Sequence, residues 1–526
     1  MRQLLILWIL APLLLTTACA VNPVTGEREL SLVSEQQEIA IGAQQYGPSQ
    51  QSQGGAYVLD AGLQAYVSDI GHRLAAVSDR PDLPYEFVVL NNSIPNAWAL
   101  PGGKIAVNRG LLVELDDEAE LAAVIGHEIV HAAARHGASQ MSSGALTGFT
   151  AQLATIAAAS VGFGDIANSA SQAGSAAFMA KYGRDDELES DKYGIRYMSK
   201  LGYDPQAAVS LQETFVRMSG KQQQDFVSGL FASHPPSQAR VDANRVHARE
   251  LPPGQRYRER YQQRIAQLKR DAPAYAKLDE ALTALGEEQP QRAINLLDAA
   301  LKIQPNEAQL WETRGHAWNM LKNSDNAVKA YSTAIAKNPA QFSPYLYRGI
   351  THYRRGETEL AEQDLLASNQ KLPTAVSAYY LGETSLANDD QQQALSYFNQ
   401  VAQGGNKELS QLAQVRLAQL EMAAQPGKYI ATAPYVGKDG YLYIAVRNNS
   451  SLTAANVKLE LIQIDSSGKA IARERLQNTL QLNSGERVDI KTRTGPLSNT
   501  AAASQFRSQV INAEPVVVEL AAADNR

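Results

Sequence analysis

The chain has 526 residues, 44% of them apolar, and a net charge of −6. That length provides for about three domains, each able to bury a core. No basic block or stripe runs through it, which argues against nucleic acid as a partner, and a single cysteine, Cys19, excludes an internal disulfide.

Arg2 is followed by the apolar run Leu4 to Leu15 and then by Thr16-Thr17-Ala18-Cys19-Ala20. The run is too short to span a bilayer as a helix and has the length of a secretory hydrophobic region. Two processing sites fit. Small residues before Cys19 resemble a lipobox, with acylation of the Cys19 thiol, although Thr16 stands where Leu is usual. Ala18-Cys19-Ala20 also reads as an A-x-A site, cleaved after Ala20. The lipoprotein reading is preferred because the lone cysteine falls at this junction. Residues 1–20 are therefore read as a signal peptide and the remainder as exported, with no second stretch resembling a membrane span.

Residues 21–255 read as a mixed helix and strand domain. Leu59 to Ser78 has helical periodicity, and Tyr85 to Leu90 reads as a strand. Pro101-Gly102-Gly103 separates two extended pieces, Asn96 to Leu100 and Lys104 to Asn108, as in a hairpin. Asp116 or Asp117 caps a helix from Glu118 to about His136. The Ala-, Ser- and Gly-rich stretch 137–180 fits a helical hairpin with a mobile tip near Gly162-Phe163-Gly164, and a further helix runs from about Asp186 to Lys200. Pro252-Pro253-Gly254 and a charged helix at 256–272 read as a linker.

Residues 273–424 repeat. Pro305, Pro339 and Pro373 recur every 34 residues, as do Ala293, Ala327 and Ala361. One unit carries Trp311, Gly315, Trp318, Ala327, Tyr331, Ala334 and Pro339, which matches the tetratricopeptide pattern. Small residues let two helices cross closely, and the proline ends the second. A further unit has Gly382, Ala394 and Phe398, and Leu409 to Met422 closes the array. Stacked repeats of this kind form a concave binding surface. Residues 425–526 change to period two. Tyr441 to Val446, Val457 to Ile462, Val488 to Ile490 and Val516 to Leu520 read as strands of a small β-sandwich without a catalytic constellation.

The chemistry is concentrated at His127-Glu128-Ile129-Val130-His131. Residues four apart share a helical face, so His127 and His131 can point at one metal ion while Glu128 lies beside it as a proton acceptor for water. The apolar helix around them offers no other reason for two histidines and a carboxylate. A catalytic zinc usually takes three protein ligands. The candidate third is Glu187, in Asp185-Asp186-Glu187-Leu188-Glu189-Ser190-Asp191. Asp191, one turn on, can accept the free N–H of a ligand histidine. Glu189 is expected to be exposed. A solvated acidic helix start is the ordinary reading of such a charge run, and only HExxH displaces it.

His127 to His136 resembles the HExxHxxxRH signature of the gluzincin peptidases that include the CAAX-prenyl protease and the heat-shock protease HtpX. Glu187 to Asp191 is similar to that family's ExxAD segment, with Ser190 for Ala. Asn96 to Gly103 resembles its NAFxLPGG strand, with Trp98 for Phe, and His234 to Val241 its HPxxxxRI segment. The implied fold is multidomain: an α+β gluzincin-type metallopeptidase domain, an all-α tetratricopeptide solenoid and a small all-β sandwich. The implied cofactor is one Zn²⁺ on His127, His131 and Glu187, with Glu128, Asp191 and His234 in catalysis. His234 has two readings: it stabilises the oxyanion, or it fills the open metal position and holds the enzyme latent. The resemblance also implies that Lys104–Asn108 is an edge strand on which substrate adds. Arg135 and His136 are read as supports of the helix end.

An exported peptidase with these repeats resembles the β-barrel assembly-enhancing branch of the family. That implies an endopeptidase of the periplasm, anchored to the outer membrane if Cys19 is acylated. It would act on unfolded or misassembled envelope proteins, with assembly machinery or substrate in the repeat groove. The alternative is a periplasmic chaperone or assembly scaffold with minor or latent proteolysis.

Overall fold

The computed structural model describes residues 19–143, 182–219, 233–477, 479–497 and 499–517. The expected secretory region before Cys19 and the tip at Gly162-Phe163-Gly164 lie outside the described residues. Among the described residues no helix is long and apolar enough to cross a membrane. The chain forms two compact units, residues 1–355 with 367–372, and residues 356–366 with 373–526.

The first unit opens on an antiparallel pair, β1 (Cys19–Val21) against β2 (Arg28–Leu30). Helix α1 (Glu35–Ser52) starts from a capping box on Ser34, and α2 (Ala61–Ala76) from a cap on Asp60. Leu63, Val67, Ile70 and Leu74 recur at helical spacing along α2 and are buried. Strands β3 (Glu86–Leu90), β4 (Ala97–Leu100) and β5 (Lys104–Asn108) form a sheet of order β3-β5-β4, parallel between β3 and β5 and antiparallel between β5 and β4. The expected hairpin joins β4 to β5. Its turn requires glycine, because Gly102 has φ +74° and a Cβ there would meet the Ile39 Cα at 2.7 Å.

One expectation is corrected here. Lys104–Asn108 is the central strand, not the edge. All five of its residues are buried, as befits a strand covered on both faces. The outer strands are β3 and β4, and among the described residues no strand pairs with the other side of β4. The Asn108 N–H donates to the Asn96 carbonyl at 2.8 Å, and Trp98 lies opposite Ala106. In that antiparallel register the peptide groups of Ala97 and Ala99 point away from β5.

The domain is completed by α3 (Arg109–Glu114), α4 (Glu118–Ala133), α5 (Arg184–Lys200), α6 (Gln206–Ser219) and α7 (Gln238–Arg249). Helix α4 ends three residues before the expected His136. Arg135 takes φ +66°, held by its own Nε on Glu38 Oε2 at 2.9 Å, and helix resumes over 136–143. The expected linker contains α8 (Arg258–Arg264), which is packed into the domain rather than spanning a gap. Tyr261 is buried and its hydroxyl donates to the Leu112 carbonyl. Arg260 pairs with the buried Glu118, which also accepts from Tyr66 and Tyr203.

Helices α9 (Ala266–Gly286), α10 (Pro290–Ile303), α11 (Ala308–Met320), α12 (Ser324–Lys337) and α13 (Ser343–Arg354) are the repeat helices of this unit. Gly315 of α11 lies under the Tyr331 ring of α12, which a Cβ would meet at 2.5 Å. The spaced glycine and aromatic thus set how closely the paired helices cross. These repeats dock on the preceding α+β domain. Asn91 Nδ2 donates to Glu307 Oε1 at 3.0 Å, Gln309 Nε2 to the Asn91 carbonyl at 2.7 Å, and the Arg109 guanidinium lies 3.3 Å over the Tyr275 ring.

The second unit takes the start of α14 (Thr358–Lys371), then α15 (Ala375–Ala387), α16 (Gln391–Ala402), α17 (Lys407–Glu421) and the short α18 (Pro426–Tyr429). Gly382 and Phe398 repeat the glycine-under-aromatic contact. A β-sandwich follows. One sheet holds β6 (Ile430–Val436), β7 (Leu442–Asn448) and β11 (Arg487–Lys491). The other holds β8 (Ala454–Ile464), β9 (Ala470–Arg475), β10 (Leu480–Leu482) and β12 (Phe506–Pro515). Leu442, Ile444 and Val446 from the first sheet share one core with Val457, Leu459 and Leu461 from the second. Among the described residues the last strand is Phe506–Pro515, and the expected strand Val516 to Leu520 lies mostly outside them. Val516 and Val517 follow it, Val517 is 72% exposed, and 518–520 lie outside the described residues. The strand that pairs with β8 is carried instead by the weaker alternation of Phe506–Pro515.

Candidate metal centre

All 16 residues of α4 are buried. The helix threads the core because Leu121, Val124, Ile125, Ile129 and Val130 leave it no wet face, and Asp117 caps its first turn through the Glu120 N–H. His127 and His131, one turn apart, bring their Nε2 atoms within 3.0 Å. Helix α5 crosses α4 where both carry glycine. A Cβ on Gly194 would stand 2.9 Å from the His127 backbone nitrogen, and one on Gly126 would stand 3.1 Å from the Gly194 carbonyl. That close approach delivers Glu187, whose carboxylate oxygens lie 3.4 Å from His131 Nε2 and 3.6 Å from His127 Nε2. His234, just ahead of α7, adds its Nδ1 at 2.8 Å from Glu187 Oε1 and 3.4 Å from His127 Nε2. One donor atom from each of these four residues falls within 4.8 Å of the others.

Asp191 Oδ1 lies 3.0 Å from His127 Nδ1. A carboxylate only accepts, so His127 Nδ1 donates this hydrogen bond and presents Nε2 to the cluster. Glu128 Oε2 and His234 Nε2 are buried without a hydrogen-bond partner. Burial pushes the His131 pKa well below the ordinary imidazole value, leaving it neutral. Burial alone would raise Glu187, but His234 and His127 outweigh it and hold the carboxyl far below its usual range. Two imidazoles and an ionised carboxylate converging in a buried space are a donor set for a divalent transition metal. Glu128 is not among the four donors. Burial raises its pKa, and its Oε1 sits 3.6 Å from His234 Nε2.

Residues 62–247 match peptidase family M48, and residues 278–342 and 321–376 match the tetratricopeptide repeat. The metalloprotease YcaL of Escherichia coli is 30% identical over 205 residues, which cover 36% of this chain and 74% of that one. The chain belongs to peptidase family M48. The mitochondrial metalloendopeptidase OMA1 of Schizosaccharomyces pombe is 37% identical over 183 residues, covering 34% of this chain and 50% of that one. The β-barrel assembly-enhancing protease of Escherichia coli is 30% identical over 200 residues, covering 36% of this chain and 40% of that one. The chain therefore matches half or less of the length of these last two relatives.

Further side chains of the M48 domain pack against this cluster. Arg240 sat in the HPxxxxRI segment without a role. Its Nε and Nη2 each reach Asp191 at 2.7 Å, and Nη1 reaches Glu187 Oε2 at 2.6 Å. One guanidinium thus orients both a metal-facing carboxylate and the carboxylate behind His127. Burial of Asp191 opposes its ionisation, and Arg240 overcomes it. Glu189, expected to be exposed, turns inward, 3.5 Å from His136 Nε2. His136 is buried against His131. Tyr182 stacks on His131 with ring centroids 3.8 Å apart, its hydroxyl 3.5 Å from the Ala99 carbonyl on the sheet edge. A cleft opens beside Glu128 and His234, walled by Val124, Ile195, Leu211 and Phe215.

Gly126 and Gly194 had a readable signal. Glycine inside a helix costs about 1 kcal/mol relative to alanine, so two such glycines flanking the motif mark a close helix crossing. Gly194→Ala is expected to push α5 off α4 and cut kcat/KM by about 100-fold, since a misplacement of about 1 Å costs that much. A peptide-cleavage assay with circular dichroism as a folding control checks it, and unchanged turnover would show that the crossing has slack.

Proposed function

We propose that this chain is a zinc-dependent endopeptidase of the bacterial periplasm that cuts unfolded or misassembled envelope proteins. The observation that carries the reading is Glu128, buried beside the His127, His131 and Glu187 donors without joining them. His127, His131 and Glu187 would hold a zinc ion, which would supply Lewis acidity and bring the pKa of water down to about 7. Glu128 takes the proton of the attacking water and returns it to the leaving amine. Asp191 and Arg240 keep His127 and Glu187 aimed inward. An extended segment pairs along the outward peptide groups of Ala97 and Ala99, so recognition runs through the main chain and tolerates many sequences. The apolar cleft takes a side chain next to the cut bond. Acylation of Cys19 would hold the enzyme at the outer membrane, and the repeats would present substrate or assembly machinery.

His234 Nδ1 stands among the donors, which favours a latent resting enzyme over an oxyanion stabiliser. That placement also leaves room for the second reading, a chaperone or scaffold with proteolysis held in reserve. The test is cleavage of an unfolded outer-membrane protein by the purified mature chain. His234→Ala is expected to raise the rate severalfold with zinc retained. A fall of about 100-fold or more would instead make His234 the oxyanion stabiliser. No cleavage by either form, with zinc bound in both, would favour the scaffold.

A further inference from the structure

Among the residues that line the cleft, four buried side-chain atoms have no hydrogen-bond partner. Two of them, Glu128 Oε2 and His234 Nε2, belong to the reacting end. The other two, Gln212 Oε1 and Asn244 Oδ1, have no part in the mechanism. Both amides stand where their helices otherwise turn apolar groups inward. On α6, Ala208, Leu211 and Phe215 are buried on the same face as Gln212. On α7, Val241 and Ala248 are buried on the same face as Asn244. Gln212 is 3% exposed and Asn244 1%. A leucine at either place would complete the apolar face. A buried amide oxygen left unpaired is instead unfavourable, and in folded proteins such groups nearly always find a partner. Both amides line the cleft that holds Glu128, so the partner that suits them is one that arrives with the substrate.

The chemistry of that partner follows from the lining. Val124, Ile195, Leu211 and Phe215 accommodate an apolar stem. Two amide oxygens call for hydrogen-bond donors. A carboxylate tip only accepts, and it would bring a second negative charge beside Glu128. A lysine tip has donors, but its charge is poorly solvated between apolar walls, and Arg240 on the same lining repels it. A carboxamide is neutral and carries two N–H donors. Its own oxygen serves equally well if either wall amide is turned end for end.

We propose that Gln212 and Asn244 are specificity-determining residues that select a carboxamide side chain, glutamine or asparagine, next to the cut bond. The inference rests on the endopeptidase reading above and narrows its substrates. Main-chain pairing along β4 tolerates many sequences, whereas the cleft discriminates at one position.

The test is digestion of a mixed library of unstructured peptides by the full mature chain, with every cut mapped by mass spectrometry. Matched peptides carrying glutamine or methionine at the selected position then give kcat/KM. Methionine is likewise unbranched and lacks the amide. Glutamine is expected to exceed methionine by about 10- to 100-fold, because the analogue leaves the buried amides unpaired. The double variant Gln212→Leu, Asn244→Leu should lose that preference and cut the methionine peptide at least as fast as the glutamine one, with zinc retained. The wild-type preference is read without any variant having to fold. A wild type that cuts methionine peptides as well as glutamine ones, or a double variant that keeps the glutamine preference, would overturn the inference and leave the endopeptidase reading standing. A chain that cuts no peptide, even as His234→Ala, would overturn both.

Discussion

Glu128→Gln is expected to lower kcat/KM for an unfolded protein substrate by about 100- to 10,000-fold, the range supplied by a positioned general base and acid. Gln has nearly the same shape, so the packing of this 2% exposed residue is preserved. It cannot accept a proton from water at neutral pH. Because Glu128 is not one of the four converging donors, the variant should bind zinc with unchanged stoichiometry and near wild-type affinity. Turnover and bound metal, measured on the same sample, separate the outcomes. Activity that survives with zinc bound would remove Glu128 from the mechanism. Activity lost together with zinc would assign the residue to metal holding.

Arg240→Ala should be the most destabilising of the single changes at the site, by about 3–5 kcal/mol, the range for breaking a buried ion pair by removing one partner. Arg240 is 4% exposed, Asp191 6% and Glu187 2%. The alanine therefore leaves two buried carboxylates facing each other across a void. Arg245 is the comparison. It pairs with Glu213 and Asp242, but its side chain is 40% exposed, and Arg245→Ala should cost under about 1 kcal/mol. Urea unfolding of metal-free protein measures both. Equal effects would mean that water reaches the Arg240 cluster and that the buried network is not what holds Asp191 and Glu187. With zinc present the Arg240→Ala loss should shrink, because the metal would replace part of the charge that Glu187 loses.

Membership of a metallopeptidase family was legible because its signals are local. HExxH needs only helical periodicity to place two imidazoles on one face, and Asp117 and the apolar run supply the helix. The repeat spacing was legible for the same reason: Gly315 and Tyr331 recur at positions whose helices must touch. The alternation from Tyr441 to Val446 announced a strand. Signals failed where pairing rather than periodicity decides. β5 and β4 are both short and apolar, and which of them lies at the edge depends on β3 pairing with β5 in parallel. Phe506–Pro515 gave no clear alternation, and it is the register with β8 that makes it a strand.

By itself, then, the sequence determined the elements, the donor types and the domain classes, since each follows from the order of residues within a turn, a hairpin or one repeat. Only the tertiary structure decided the distances across α4 and α5, the place of His234 among the donors, and the contacts of Arg240 with Asp191 and Glu187. Those depend on residues far apart in the chain meeting in a buried space. There a guanidinium or a carboxylate must find its partner at hydrogen-bond range, and no local pattern encodes which partner it will be.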